Sequence, residues 1–134
     1  MLERVLCVDD DPITLMLCKK VIQKSNFSKE IDTATNGEDA LTYFNNLINS
    51  DNTGNLPQLI FLDLNMPVMN GWEFLDIFSK KEYVAHFSDT KVVVLSSTID
   101  PHDIDKSKEY PMVIEFLSKP ITTEILAILK NILT

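Results

Sequence analysis

Five short apolar runs, each followed by a stretch of helical or polar character, divide the chain from end to end. The runs are Arg4 to Val8, a weaker one from Ile31 to Ala34, Gln58 to Leu62, "KVVVLSS" from Lys91, and "VIEFLSKP" from Val113. Four of the intervening stretches repeat apolar residues at helical spacing. "DPITLMLCKKVIQKS" opens with Asp11 as cap and Pro12 at the first helical position. "NGEDALTYFNNLINS" lines up Ala40, Leu41, Phe44, Leu47 and Ile48. "GWEFLDIFSKK" does so with Phe74, Leu75 and Phe78, and "TTEILAILKNIL" with Ile125, Leu126, Ile128, Leu129 and Ile132. "DPHDIDKSKEY" is expected to form a short polar helix, and "SDNTGNLP" a turn. Strands spaced by helices pair in parallel through right-handed crossovers, with helices on both faces of the sheet. The expected fold is an α/β three-layer sandwich of five βα units, a single domain over residues 1–134 with no output domain.

With 134 residues, the chain buries roughly two-thirds of its unfolded surface around one core. No apolar run approaches the ~20 residues of a membrane span. The opening "MLERVLCVDDD" places acids directly after a short apolar stretch, unlike a secretory or transit segment, so a cytoplasmic location is expected. A formal charge of −8 argues against binding a phosphate backbone, which needs clustered Lys and Arg. Cys7 and Cys18 lack metal-ligand spacing and read as small buried hydrophobes; His86 and His102 read as surface residues.

In open α/β sheets ligands bind outside the carboxyl ends of the strands. Those ends carry Asp9, Asp10 and Asp11, then Asp63, then Ser96, then Lys119 before Pro120. Taken singly, each has a plain structural role: Asp11 as a helix cap, Asp63 as a turn residue, Ser96 as a strand end, Lys119 as a surface lysine. Together they form a cluster with an electrostatic problem. Two like charges about 4 Å apart repel by roughly 4 kcal/mol at an effective dielectric near 20. Lys119 offsets one charge, and a hard divalent cation offsets two. Mg²⁺ favours one or two carboxylates plus waters and substrate phosphate, which suits Asp10 and Asp63 at the centre. Asp63 is then a candidate nucleophile toward phosphorus, with Asp10 a direct ligand and Asp9 an outer one. Ser96 and Lys119 are candidates to hold phosphoryl oxygens.

The acidic pair Asp9-Asp10, the D-x-x-M-P-x-M-x-G pattern of Asp63, Met66, Pro67, Met69 and Gly71, then Ser96 and Lys119-Pro120, resemble the receiver domain of bacterial response regulators over Val5 to Leu133. The resemblance implies a flavodoxin-like (βα)5 fold with strand order 2-1-3-4-5. It implies that Asp63 accepts a phosphoryl group from a phosphohistidine on a sensor histidine kinase or a histidine phosphotransfer protein. Mg²⁺, or Mn²⁺ in its place, is implied at Asp10, Asp63 and the backbone carbonyl of Asn65, with Asp9 reaching it through water. Ser96 and Phe116 are implied as the switch pair, which remodels the face of the fourth crossover helix, fifth strand and last helix toward a downstream protein target. Asn65 and Thr98 stand where the family tunes hydrolysis; neither supplies a general base. A monomer or weak homodimer is expected, contacting neither nucleic acid nor membrane.

Three other readings compete. A phosphohydrolase working through an aspartyl phosphate commonly needs a second acid two residues past the nucleophile, where this chain has Asn65. A flavin or nucleotide binder needs a phosphate-cradling glycine loop, and the glycines are Gly37, Gly54 and Gly71. A receiver that acts only by docking proteins would have no use for a filled active site.

Overall fold

The computed structural model describes residues 1–50 and 55–133. The expected turn "SDNTGNLP" falls partly on residues 51–54, outside the described residues, as does the chain end at Thr134. The elements run β1 Leu2–Val8, α1 Pro12–Lys24, β2 Ser28–Ala34, α2 Gly37–Ser50, β3 Leu59–Asp63, α3 Gly71–Phe78, α4 Lys81–Phe87, β4 Lys91–Ser96, α5 Pro101–Ser107, β5 Val113–Ser118 and α6 Thr123–Leu133. The five strands form one sheet in the order β2-β1-β3-β4-β5. Every pairing is parallel. Burial follows position in that order. All of β3 is buried, and so is β4 apart from Lys91. The edge strands β2 and β5 are only partly covered, which is why β2 carried so weak an apolar signal.

Strand alternation divides the core in two. Leu6, Val8, Ile60, Leu62, Val92 and Val94 face α2, α3 and α4, where Phe44 meets Phe78 and Phe87, each at 4.7 Å between ring centroids. Val5, Cys7, Leu59, Phe61, Val93 and Leu95 face α1 and α6. Both cysteines are buried free thiols in this second half, and burial pushes each thiol pKa up, that of Cys18 to about 11.

Two expectations need correction. The helical pattern from Gly71 does not continue through Lys81: Ser79 ends α3, its hydroxyl donating to the carbonyl of Leu75, and Lys80 turns extended. A separate helix, α4, follows and delivers Phe87 into the aromatic cluster, so there are six helices among the described residues rather than five. The last helix also buries less than its pattern suggested. Leu126 and Leu129 are covered, Ile125 is partly so, and Ile128 and Ile132 are exposed.

Candidate functional site

The carboxyl ends of the strands meet where local sequence ends each strand abruptly. After β1, Asp9 turns back to accept the backbone N–H of Asp11 at 2.9 Å, and Asp11 caps α1 by accepting from Ile13. That cap, with Pro12 at the first helical position, fixes where the chain leaves the sheet. After β3, the chain runs through Leu64 to Asn70 into α3, whose start is closed by reciprocal hydrogen bonds between Asn70 and Glu73. After β5, Lys119 donates its backbone N–H to the carbonyl of Ser96 at 2.9 Å, tying the end of β5 to the end of β4; the Lys119-Pro120 peptide is cis.

These turns bring Asp9, Asp10, Asp63 and Lys119 together. One carboxylate oxygen from each of the three acids lies within 4.8 Å of the other two. Asp9 and Asp63 are buried, at 5% and 6% exposure, whereas Asp10 is exposed. The Lys119 ammonium donates to Asp9 Oδ2 at 2.7 Å and sits 3.4 Å from Asp63 Oδ1. Burial works to lower the Lys119 pKa, but the bond to Asp9 and the charge of Asp63 outweigh it, and the group stands above the usual lysine value. The Asp63 carboxyl is held above the usual carboxylate range, first by burial and then by the charge of Asp9, against the pull of Lys119. Asp11 lies below its usual value because it accepts hydrogen bonds from Ile13 and Thr14, which accords with a cap rather than a ligand.

Three carboxylates against one ammonium leave the cluster two charges short of neutrality. All the donor atoms are hard oxygens, and one acid faces solvent, so the residues fit an oxygen-loving divalent cation that keeps part of its water.

The remaining predicted residues lie around this cluster rather than in it. The backbone N–H of Asn65 approaches Asp63 Oδ1 at 3.5 Å, and its side chain is exposed, as is Thr98. Ser96 is buried and its hydroxyl accepts from the N–H of Thr98 at 3.3 Å, without a hydrogen bond to the acids. Sheet parity explains this: Ser96 follows Val94 on the α2 side, whereas Asp63 follows Phe61 on the α1 side. Phe116 pairs with Val94 and is partly buried against that same α2-side core, so Ser96 and Phe116 share a face.

Residue-by-residue reading overlooked two features of the loop after β3. Val68 has φ +69, and the N–H of Met69 donates to the carbonyl of Pro67 at 2.8 Å, a γ-turn of the rare positive-φ kind with a β-branched residue at its centre. Gly37, at the start of α2, donates its N–H to the carbonyl of Met69. Pro67 and the Asn-Gly pair at 36 and 37 signal turns, but nothing local signals that the two turns touch.

The sequence matches the family described as "Response regulator receiver domain" across residues 5–130. The chain belongs to that family. This receiver is 31% identical over 133 residues to hybrid signal transduction histidine kinase L of Dictyostelium discoideum. It is 29% identical over 132 residues to protein-glutamate methylesterase/protein-glutamine glutaminase 3 of Geobacter sulfurreducens. The alignments cover 98% and 96% of the receiver but only 7% and 32% of those proteins. Among solved structures it resembles a two-component response regulator from Cytophaga hutchinsonii, with a TM-score of 0.87 and 33% identity over 98% of this chain and 96% of that one. It also resembles the Thermotoga maritima response regulator TrrA in complex with Mg²⁺ and beryllium fluoride, at TM-score 0.73 and 26% identity over 99% and 100%. The flavodoxin-like fold and a place in two-component signalling follow from these matches. No helix among the described residues is long and apolar enough to cross a membrane.

Proposed function

We propose that this receiver is a phosphoacceptor in which Asp63 takes a phosphoryl group from a phosphohistidine on a histidine kinase or phosphotransfer partner. The observation that carries this reading is the meeting of Asp9, Asp10 and Asp63 with Lys119 at the ends of three strands. Both protein contacts to the Asp63 carboxylate fall on Oδ1, which leaves Oδ2 without a protein hydrogen bond among the described residues. A carboxylate oxygen of Asp63 attacks phosphorus of a phosphohistidine protonated on its other ring nitrogen, the P–N bond breaks with its electron pair going to the ring, and neutral imidazole leaves. Lys119 offsets charge gathering on the phosphoryl oxygens, and the buried floor of the site keeps that ammonium effective.

Asp10, Asp63 and the backbone carbonyl of Asn65 would hold Mg²⁺, or Mn²⁺ in its place, with Asp9 behind them. When bound, the cation screens the acids from each other and from the incoming phosphoryl oxygens. Asn65 offers no acid or base, so the receiver modifies itself and does not turn over phosphoesters. Ser96 and Phe116 carry the change toward α5, β5 and α6, where a downstream protein reads it, a reading supported by their lying on one face of adjacent strands. Asn65 and Thr98 tune hydrolysis. Residues 1–134 constitute one such domain, at work in the cytoplasm as a monomer or weak homodimer.

Intact mass after incubation with acetyl phosphate and Mg²⁺ tests the reading. One phosphoryl group should add to the wild type and be missing from Asp63→Asn and from samples in EDTA. Folded wild-type protein that gains no mass under any condition would leave only the docking role.

A further inference from the structure

The loop from Leu64 to Asn70 carries Asn65, whose carbonyl is a cation ligand on the phosphoacceptor reading, yet its geometry is not the one its sequence prefers. Val68 sits at positive φ at its centre. Among the described residues, the loop has one backbone hydrogen bond to an element other than β3 and α3, from the N–H of Gly37 to the carbonyl of Met69 at 2.8 Å. The start of α2 is itself anchored: Asp39 donates its N–H to Asn36 Oδ1 at 2.8 Å, and Thr35 donates to Asp39 at 2.9 Å. Gly37 is buried, and no described glycine has a positive φ, so what position 37 requires is space. A Cβ there would lie 2.8 Å from Met69 Cγ, 2.9 Å from the Met69 carbonyl oxygen and 3.1 Å from that of Asn70. At the loop's other end, Gly71 donates to the carbonyl of Leu64 at 3.0 Å. The strained turn thus hangs between a closure of its own and a clamp on a different helix.

We propose that Gly37 is a positioning residue for the phosphoacceptor reaction, holding the strained loop, and with it the Asn65 carbonyl, in the geometry that the divalent cation requires. The inference rests on the phosphoacceptor reading. It assigns to α2, which contributes no group to the chemistry, a part in metal affinity.

Two measurements test it. In the first, Gly37→Ala and wild type are titrated with Mg²⁺ alone, followed by NMR, and then labelled with acetyl phosphate, followed by intact mass. The Ala variant should bind Mg²⁺ roughly tenfold more weakly and label correspondingly more slowly below saturation, the size of loss seen when groups behind a metal ligand are removed. A purely structural role would lower the thermal midpoint and leave the Mg²⁺ affinity well below that midpoint unchanged. The second needs no variant. Linkage is reciprocal, so saturating Mg²⁺ should slow hydrogen exchange of the wild-type Gly37 amide by a comparable factor, about tenfold. That amide is one of only three glycine signals.

An unfolded Ala variant leaves the exchange measurement to decide. Normal labelling of wild type with unchanged Mg²⁺ affinity in the variant, or with an unchanged Gly37 exchange rate, overturns the inference and leaves the phosphoacceptor reading standing. Absence of both labelling and Mg²⁺ binding in wild type overturns the two together.

Discussion

On the proposed reading Asp63 has opposed duties: it would have to be ionised to attack phosphorus, and it lies where ionisation is unfavourable. Its folded-state pKa stands above the unfolded reference of 3.8, chiefly through burial. The proton is therefore held more tightly in the folded state, and the stability this gives is present in full below 3.8 and lost as pH rises through the folded value. Asp63→Asn removes that cost, so the variant should melt above the metal-free wild type at neutral pH. The gap should close in thermal scans as pH falls toward 3.8, and a variant equal to wild type at every pH would contradict the burial argument. Val68 makes a second case. A β-branched residue at positive φ costs on the order of 1–2 kcal/mol, and asparagine tolerates that region better. Val68→Asn should raise the midpoint of urea unfolding by an amount corresponding to about 1 kcal/mol. The acids and Lys119 were legible in the sequence because each follows an apolar run that declares itself. Gly37 and Val68 were not, because the requirement on each comes from a contact between distant turns, which leaves no mark in local periodicity.

At the scale of elements, the sequence defined best what the sheet buries most. The run of β4 announced itself, whereas β2, at an edge, was traced for only part of its length. The break before α4 was hidden because α3 and α4 carry the same kind of aromatic spacing, and only Phe87 reaching back to Phe44 and Phe78 shows why the chain must turn. Helix α5 was expected as a short polar helix, and the structure caps it with Asp100, which accepts from the N–H of His102 at 2.9 Å. What ties α5 to its neighbour was not foreseen. Trp72 of α3 carries the Lys106 ammonium over its ring at 4.5 Å and stacks on Tyr110 at 6.0 Å and 28°. Tyr110 in turn donates its hydroxyl to Asp76 of α3, and burial followed by that bond pushes the phenol up to about 12. Trp72→Ala should cost about 2 kcal/mol by denaturation followed with circular dichroism, from lost stacking and cation–π contact together. Lys106→Ala should cost no more than about 1 kcal/mol, while shifting the emission of what is the single tryptophan of the chain. Equal costs for the two would mean that the stacked tyrosine contributes nothing.

The whole molecule assembles its site from both ends of the chain. Pairing of β1 with β3 brings Asp9, Asp10 and Asp63 together, whereas their counter-charge follows β5, an edge strand reached through β4, with Lys119 lying 110 residues from Asp9. That separation has a kinetic meaning. A refolding chain that has joined β1 to β3 and not yet docked β5 holds three acids and no ammonium, so the self-repulsion of the site falls on an intermediate stage of assembly. Millimolar Mg²⁺ should accelerate refolding of the wild type a few-fold in stopped-flow circular dichroism, and less so for Asp63→Asn. A cation held by those acids would then ease the folding of the same chain.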